Sequence, residues 1–341
     1  MTVAKNLHQG PAVQGPSYEI ANCAVCGHSN ARVVAEQDDM RAEVESLWDF
    51  HERRLRPRTP ADRLMDRVAF SEYPPLRLVQ CNECGLIYRN PVERGHELTQ
   101  IYAREAPAAP VLESLHRTQV PALRAQAAEL RRQLHGGGSV LEVGSYVGAF
   151  LAAAREHGLS AEGIDINACV NAFTRSLGFT VHDGELESFD PDRRFAAVAI
   201  WNTFDQLAEP RRTVNAAFRL LARGGVLAIR VPNGAFYQRL RRAAGSRNRI
   251  RRAIARGLLA QNNLLTFPYR WGFTPGALSA LLRDVGFAVT RIRGDVLVPI
   301  ADEWTRPWAR VEESLIKRGL AAAASARLGW APWFEVYARR D

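Results

Sequence analysis

The chain has 341 residues, of which 47% are hydrophobic and 24% charged, proportions typical of a folded globular protein and not of a disordered one. It contains no apolar run long enough to span a bilayer and no secretory signal at its start, so we expect a cytoplasmic protein with reduced thiols. The formal net charge of +9 suits nucleic acid, an anionic membrane or a phosphorylated substrate, or reflects a general bias toward arginine.

The first 105 residues predict a polar tail and a metal-binding module. Residues 1–18 contain two glycines and two prolines and are expected to form a flexible tail. Residues 19–105 contain two Cys-x-x-Cys-Gly sequences, whose cysteines are Cys23, Cys26, Cys81 and Cys84. With reduced thiols, this pattern predicts a four-thiolate zinc site. Such a site has no open position and is structural; unrelated cysteine pairs or redox thiols are the alternatives.

The segment between the cysteine pairs is longer than a zinc ribbon needs, which indicates an insertion. It contains a charged, helix-like stretch at residues 36–56 and then a turn at Pro57 and Pro60. Residues 93–120 predict a linker with some helix and a hinge at residues 106–110. A helix is predicted to begin at Pro121, because proline suits the first helical turn, and to end at glycines 136–138. A larger domain is predicted at residues 106–341.

Residues 139–151 predict a buried strand, a tight turn and the start of a helix. Gly144 ends the strand, and Gly148 allows strand and helix to approach closely. Glu142 lies within the apolar strand, where a buried charge requires a partner or a role. A dinucleotide-binding turn would have glycine at position 146, where the side chain of Tyr146 would obstruct a pyrophosphate.

Six further strands are predicted, at residues 161–166, 179–184, 195–200, 225–231, 287–292 and 333–338. Most alternate with segments of helical length, which favours a doubly wound α/β fold with a mainly parallel sheet. The second strand ends in Asp165, where such folds place an acid that binds ribose hydroxyls; a plain helix cap is the alternative. Thr274 and Pro275 predict a helix start, Gly286 its end, and residues 301–329 a further helical insertion.

The sequence Leu-Glu-Val-Gly-Ser-Tyr-Val-Gly at residues 141–148 and the ordered series of strands resemble class I S-adenosylmethionine (SAM) methyltransferases, over roughly residues 121–341. The common form of this motif has glycine at the position of Tyr146. The resemblance implies a Rossmann-like seven-stranded sheet whose last strand is antiparallel beside the fifth. It also implies a set of SAM contacts: Glu142, Gly144, Ser145, Tyr146, Gly148, Asp165, Ile166, Asp183, Gly184, Trp201 and Asn202.

Several of these residues also have simpler explanations. Glu142 could bond a local backbone donor, and Asp183 with Gly184 could form only a turn. Trp201 could be a core residue, as large aromatic side chains after a strand usually are. The fifth cysteine, Cys169, is expected to be a small core residue in the helix after the second strand.

The sequence Cys-Asn-Glu-Cys-Gly-Leu-Ile-Tyr-Arg-Asn-Pro at residues 81–91, between the first cysteine pair and a SAM-type domain, allows a narrower comparison. This arrangement is similar to methyltransferases with an N-terminal zinc-binding domain, which include sugar C-methyltransferases of deoxysugar and polysaccharide pathways. The similarity implies a small-molecule acceptor, often linked to a nucleotide. It also directs attention to Tyr88 and Asn90 near the substrate, although packing and turn formation explain both equally well.

Residues 231–275 are predicted to be an insertion on the substrate side. Many relatives have Glu-His where this chain has Asp205 and Gln206. Glutamine cannot act as a general base, which leaves Asp205 as a group that orients a substrate hydroxyl. If carbon is methylated, a base is needed, and Tyr237, Tyr269 and His182 are candidates by position alone.

Residues 239–256 are the most basic segment and contain no aromatic residue. A solvated helix, contact with an anionic substrate such as a nucleotide diphosphate, and binding to RNA or an anionic membrane are all consistent with it. The lack of aromatic side chains disfavours recognition of single strands by stacking.

These features predict a SAM-dependent methyltransferase that modifies a small-molecule acceptor, with SAM and a structural zinc ion as cofactors. The basic charge supports one alternative, an RNA methyltransferase with a zinc module, although nucleic acid is the less favoured partner. The departures at Tyr146 and Gln206 support another, a non-catalytic scaffold protein with a SAM-type fold.

Overall fold

The computed structural model describes residues 17–57, 59, 77–104, 107–262, 268–296 and 304–341. Most of the predicted tail lies outside these residues, as do Pro60, Ala106 in the predicted hinge, and residues 301–303 of the predicted helical insertion. The described residues form a seven-stranded sheet, a four-stranded sheet and a two-stranded sheet.

The N-terminal module consists of short strands around the cysteine pairs and one inserted helix. Its strands are β1 (Tyr18–Glu19), β2 (Ala31–Ala35), β3 (Leu78–Cys81), β4 (Ile87–Arg89) and β5 (Val92–Glu93). Strand β3 lies between β2 and β4, antiparallel to both, and β1 pairs with β5. The predicted helical insertion is present as α1 (Gln37–Glu52). The carboxylate of Asp39 accepts a hydrogen bond of 3.1 Å from the N–H of Glu36 and so stabilises the start of this helix.

Two helices connect the module to the large sheet, α2 (Gly95–Arg104) and α3 (Ala109–Gln133). The prediction that a helix begins at Pro121 is wrong, because Pro121 lies inside α3 and Pro110 occupies the first turn. An internal proline removes a helical hydrogen bond. However, Leu112 before it and Leu130 after it are both buried. Packing of the helix on either side of the proline therefore outweighs the lost bond.

The rest of the chain alternates strands and helices as predicted, apart from a short strand at Trp271–Gly272 that the sequence did not indicate. The strands are β6 (Ser139–Val143), β7 (Ser160–Asp165), β8 (Val181–Asp183), β9 (Phe195–Trp201), β10 (Leu221–Pro232), β11 (Trp271–Gly272), β12 (Phe287–Asp295) and β13 (Trp333–Arg340). The helices are α4 (Ala149–Glu156), α5 (Ala168–Ser176), α6 (Pro210–Leu220), α7 (Gly234–Ala244), α8 (Arg249–Asn262), α9 (Pro275–Val285) and α10 (Pro307–Ala326). Helix α9 follows Thr274, whose hydroxyl accepts the N–H of Ala277 at 3.1 Å, and ends at Gly286, so both predicted ends are confirmed.

The large sheet has the strand order β12-β13-β10-β9-β6-β7-β8. Strand β13 is antiparallel to both of its neighbours, whereas the other pairs are parallel. This order confirms the predicted Rossmann-like fold and the antiparallel last strand beside the fifth. Alternate strand residues face opposite sides of a sheet, and Leu141 and Val140 of β6 enter separate hydrophobic clusters. Both faces of the central strands are therefore buried.

Strand β11 joins the module to the large domain. Trp271 and Gly272 pair antiparallel with Tyr88 and Ile87 of β4, so β11 extends the sheet of the module. The indole Nε1 of Trp271 donates to the carbonyl of Leu207 at 2.7 Å. Cysteines of the module belong to the same hydrophobic cluster as the central strands of the large sheet. The predicted boundary at residues 105–106 therefore separates two sheets that share one core.

Replacing Trp271 with alanine should destabilise module and large domain together. The side chain is 3% exposed, and removing a buried aromatic side chain costs about 3–5 kcal/mol. We expect one cooperative unfolding transition in urea, shifted by about that free energy.

The matched control is Trp308→Ala, because Trp308 is 51% exposed and its loss should cost less than about 1 kcal/mol. Two separate transitions in the Trp271→Ala variant, or equal losses in both variants, would contradict the shared core.

Candidate cofactor, acceptor and metal sites

The turn between β6 and α4 requires glycine at both ends. Gly144 and Gly148 have φ angles of 71° and 68°, in the left-handed region that favours glycine. A Cβ on Gly144 would lie 2.7 Å from Oγ1 of Thr203, and a Cβ on Gly148 would lie 2.6 Å from Cγ2 of Thr174. The backbone of the turn is therefore packed closely between the loop that follows β9 and helix α5.

Tyr146 adopts the conformation expected of the glycine that it replaces, with φ of 42°. This region costs a non-glycine residue roughly 1–2 kcal/mol. Two hydrogen bonds hold it there: its N–H donates to Oδ2 of Asp165 at 3.0 Å, and its carbonyl accepts from Oγ1 of Thr174 at 2.7 Å. The departure from the motif thus changes the side chain at this position but keeps the left-handed backbone.

The carboxylate of Asp165 ties the tip of β7 to this turn. Besides the bond from Tyr146, its Oδ1 accepts from the N–H of Asn167 at 2.9 Å. The cap of α5 is Asn167, whose Oδ1 accepts from the N–H of Val170 at 3.0 Å, so the alternative of Asp165 as a plain helix cap is wrong. Burial raises the pKa of Asp165, although the backbone donors lower it. The next residue, Ile166, is half-buried.

Buried polar atoms without partners lie at the carboxyl ends of β6 and β9. Among the described residues, Oε2 of Glu142 and Nε1 of Trp201 have no hydrogen-bond partner. Burial first, and then the charge of Asp165, raises the pKa of Glu142 well above its ordinary value. The ring of Trp201 packs on Phe150 at 5.3 Å between centroids, so it is also a core residue. Orphaned polar atoms are expected where a polar ligand binds, so these residues fit SAM.

Three other predicted cofactor residues contact neighbouring parts of the protein. The hydroxyl of Ser145 packs against β7, because a Cβ on Gly163 would lie 2.3 Å from it, and it has no hydrogen-bond partner among the described residues. The backbone N–H of Ser145 donates to the carbonyl of Ile164 at 3.4 Å, and its carbonyl accepts from the N–H of Gly148 at 2.8 Å. Asp183 accepts from Nδ2 of Asn171 at 2.7 Å and pairs with Arg175 at 2.8 Å. These two partners lower its pKa. Gly184 donates its N–H to the carbonyl of Asp165 at 3.0 Å, so a contact of this loop with adenine stays a prediction.

Asp205, in the loop after β9, is fully buried. In the part of the chain that the structure describes, neither carboxylate oxygen has a hydrogen-bond partner. Burial raises its pKa from 3.8 to about 8. Its backbone carbonyl accepts from the N–H of Trp271 at 3.0 Å, so the loop lies directly against β11 and thus against the sheet of the module.

The structure brings two of the three candidate bases near Asp205. Burial and then Tyr269 raise the pKa of Tyr237, Arg241 lowers it, and Asp205 raises it more weakly. Tyr269 precedes Trp271, whose backbone N–H donates to the carbonyl of Asp205. His182 instead lies on β8, the outermost strand at the opposite edge of the sheet from β12. Its Nε2 is 3.3 Å from the carboxylate of Glu162, and its ring packs on Phe189 at 4.7 Å between centroids.

The four cysteine sulfurs of the module converge. Their Sγ atoms all lie within 4.8 Å of one another, with Cys23 and Cys84 at 3.4 Å and Cys26 and Cys81 at 3.5 Å. A tetrahedral zinc ion with bonds of about 2.3 Å separates its sulfurs by about 3.8 Å. The four thiols therefore fit zinc closely, in a module whose sheet contacts the large domain.

A family model described as a methyltransferase domain matches residues 114–292, which is more than half of the chain. The chain belongs to this family. It is thus a SAM-dependent methyltransferase, and the matched residues include the turn at Gly144, the acid Asp165 and the buried Asp205. None of the curated proteins matches the sequence.

Solved structures with detectable similarity include other methyltransferases. The sugar N-methyltransferase KedS8 from Streptoalloteichus is 26% identical over 37% of this chain, with a TM-score of 0.33, and the match spans 53%, about half, of that protein. A SAM-dependent methyltransferase from Thermotoga maritima, described as a possible histamine N-methyltransferase, is 15% identical over 72% of this chain and 100% of its own, with a TM-score of 0.47. The glycopeptide N-methyltransferase MtfA is 15% identical over 64% of this chain and 90% of its own, with a TM-score of 0.42.

Sequence reasoning missed a polar cluster at the carboxyl edge of the methyltransferase sheet. Arg230 of β10 donates from Nε to Asp295 at 2.6 Å and from Nη1 to Asn202 at 2.5 Å. Gln126 of α3 donates to Asp295 at 3.2 Å and to Glu335 of β13 at 2.8 Å. Charged residues within otherwise apolar strands were the available signal. The cluster orients Asn202, a predicted cofactor residue, from the side of β10.

Replacing Cys81 with serine should remove bound zinc and destabilise the methyltransferase. A closed thiolate site contributes its binding free energy to folding, and this one lies in the shared core. We expect about one zinc ion per chain in the parent by elemental analysis, and a lower zinc content and Tm in the variant.

Cys169→Ser is the control, because Cys169 is exposed on α5, which also corrects the prediction that it is a core residue. The control should retain zinc and Tm. A Cys81→Ser variant with the Tm of the parent would contradict a structural metal site.

Proposed function

We propose that this methyltransferase transfers a methyl group from SAM to a small polar acceptor, such as a nucleotide-linked sugar or another precursor of a natural product or polysaccharide. The observation that carries the proposal is the complete burial of Asp205 under β11, which is itself a strand of the module's sheet. An acceptor atom that reaches this carboxylate has to enter an enclosed site. A small molecule can enter such an enclosed site more readily than an extended RNA can.

When bound, SAM supplies a methyl group that is attached to a positively charged sulfur. After transfer of the methyl group, this sulfur is part of a neutral thioether. The task of the chain is to bind and align both reactants, because in-line transfer depends on orientation. In this proposal the backbone of Gly144–Gly148 and the side chains of Glu142, Asp165 and Trp201 hold the cofactor. The Cys23, Cys26, Cys81 and Cys84 thiolates hold zinc, which fixes the module that covers the acceptor.

Asp205 is proposed to position the acceptor and to take its proton. With a pKa of about 8, the carboxyl group is available near neutral pH both as a hydrogen-bond donor in its protonated form and as a base in its ionised form. Its two oxygens have no hydrogen-bond partner among the described residues, so one of them is proposed to accept a hydrogen bond from the acceptor. Tyr237 and Tyr269 then complete the polar lining of this side, and Gln206 supports the loop, since its Nε2 donates to the carbonyl of Asn202 at 3.0 Å.

Replacing Asp165 with asparagine should weaken SAM binding by about tenfold or more. The variant exchanges one acceptor oxygen for an N–H₂ group and so opposes a backbone donor of the turn. Calorimetric titration with SAM measures the effect, with Asp190→Asn as the control, because Asp190 is exposed. Equal affinities in a folded Asp165→Asn variant would contradict the assigned role.

Replacing Asp205 with asparagine should make the free energy of unfolding less dependent on pH. Because the folded pKa lies above the ordinary value of 3.8, the native state retains a proton between about pH 4 and 8 that the unfolded state has lost. The parent therefore loses stability as pH rises through this window, by at most about 1.4 kcal/mol per pH unit from this group. Urea unfolding at a series of pH values measures the slope.

The asparagine variant lacks this group and should lose less stability over the same range. Parallel stability profiles of parent and variant would show that Asp205 is ionised in the folded protein, contrary to the proposal. With an acceptor in hand, the same variant should also lose the rise in kcat toward pH 8.

The alternative of an RNA acceptor is tested directly. Incorporation of a labelled methyl group from SAM into total RNA, but not into a panel of nucleotide-linked sugars, would replace the small-molecule proposal. Incorporation into one class of sugar would support it.

A further inference from the structure

The net positive charge of the chain is concentrated in two helices. Residues 234–262, which comprise α7 and α8 and the turn between them, contain eight arginines and no lysine, aspartate or glutamate. Of the 45 basic and 36 acidic residues in the chain, the remainder therefore keeps 37 basic against 36 acidic. A general compositional bias would spread the excess of basic residues along the whole chain. Here the excess lies almost entirely in one part of the fold.

Two of the eight arginines form contacts with other elements of the fold. Arg241 forms two hydrogen bonds of 2.7 Å with the carboxylate of Glu43 on α1. Arg239 donates to the carbonyl of Gly329 at 2.5 Å and lies over the ring of Trp330. Within the described ranges, the other six form no ion pair: Arg242, Arg247, Arg249, Arg251, Arg252 and Arg256. A group of uncompensated guanidinium groups attracts a polyanionic partner.

Isoleucine side chains project among these arginines. Ile250 is 73% exposed and Ile254 59% exposed, and they are four residues apart on α8, hence on one face of the helix. The opposite face carries Ala255 and Leu259, which pack with Phe236 and with Leu320 of α10. The exposed face is therefore a fixed feature of a packed helical layer. We call the residues Arg249, Ile250, Arg251 and Ile254 the basic-apolar face.

A second apolar stripe is exposed on α10, which packs in the same cluster as α8. Trp308, Val311 and Leu315 are 51%, 61% and 60% exposed, at a spacing that places them along one side of the helix. Exposed apolar side chains that lie along one side of a helix indicate an interaction surface.

We propose that the basic-apolar face docks on the surface of an anionic lipid bilayer. Guanidinium groups bind lipid phosphates in the headgroup region, while isoleucines gain free energy by entering the acyl boundary. None of the helices among the described residues has the length and apolarity to cross a bilayer. Docking would thus be peripheral and reversible.

A membrane explains the exposed isoleucines better than a nucleic acid does. Phosphate contacts of RNA or DNA use the arginines alone, and single-stranded partners use aromatic side chains for stacking, which residues 239–256 lack. Neither partner gives Ile250 and Ile254 an apolar environment. The proposal does not depend on the acceptor of the methyltransferase, because the face lies outside the residues assigned to SAM, acceptor and metal.

The test is co-sedimentation of the full chain with vesicles of phosphatidylcholine, with and without phosphatidylglycerol. We expect binding only to the anionic vesicles. The double variant Arg249→Gln/Arg251→Gln should bind roughly thirtyfold more weakly, since each basic side chain near an anionic surface contributes a factor of roughly five. Ile250→Ser/Ile254→Ser should bind roughly tenfold more weakly, because it removes the inserted apolar groups.

Two matched controls separate the local face from general effects. Arg131→Gln/Arg223→Gln removes the same charge from exposed positions elsewhere, and Ile20→Ser removes an isoleucine that is 74% exposed in the module. Both should bind anionic vesicles like the parent. Circular dichroism and Tm of each variant verify that it is folded.

Three results would overturn the proposal. The first is a lack of binding to anionic vesicles, and the second is equal loss in the arginine control, which would indicate a non-specific charge effect. The third is undiminished vesicle binding by the isoleucine variant together with arginine-dependent binding to single-stranded RNA. That last result would assign the face to a nucleic acid.

Discussion

The pairing of β11 with β4 is the contact on which the arrangement of the sites depends. Through it, two residues of the large domain become the edge of the module's sheet, and the backbone of Trp271 fixes the loop that carries Asp205. One tryptophan therefore connects the cysteine cluster, the loop of Asp205 and the central sheet. Backbone hydrogen bonds fix this geometry more rigidly than side-chain contacts alone would.

Features that locally destabilise the folded state are concentrated at the carboxyl edge of the large sheet. Tyr146 adopts a backbone conformation that disfavours it, and Glu142 and Asp205 place carboxyl oxygens without partners among the described residues in buried surroundings. Each feature opposes folding by itself. All lie where parallel strands end, which is where ligands of such sheets bind. The apolar strands behind this edge, buried on both faces, supply the compensating stability.

The sequence predicted what local patterns determine. Apolar runs ending in Gly144 and Asp165 defined strands and their ends, and Thr274 and Gly286 defined a helix. Sequence-based prediction failed where contacts between distant residues determine the structure. Pro121 stays helical because buried residues on both sides of it pack against the core. The two residues of β11 pair with a strand more than 180 residues earlier in the chain. The ion pair of Arg230 with Asp295 was also missed, because strand periodicity shows burial but not which buried charges meet.

The uneven charge distribution makes the molecule an electric dipole, with a nearly neutral body and a strongly positive pole at α7 and α8. Any polyanion will orient the protein before contact and meet this pole first. Cation exchangers, heparin and cellular RNA should all retain the chain in a salt-dependent manner, whatever its physiological partner. Nucleic acid that co-purifies with it at low ionic strength is consequently no evidence for a nucleic acid substrate.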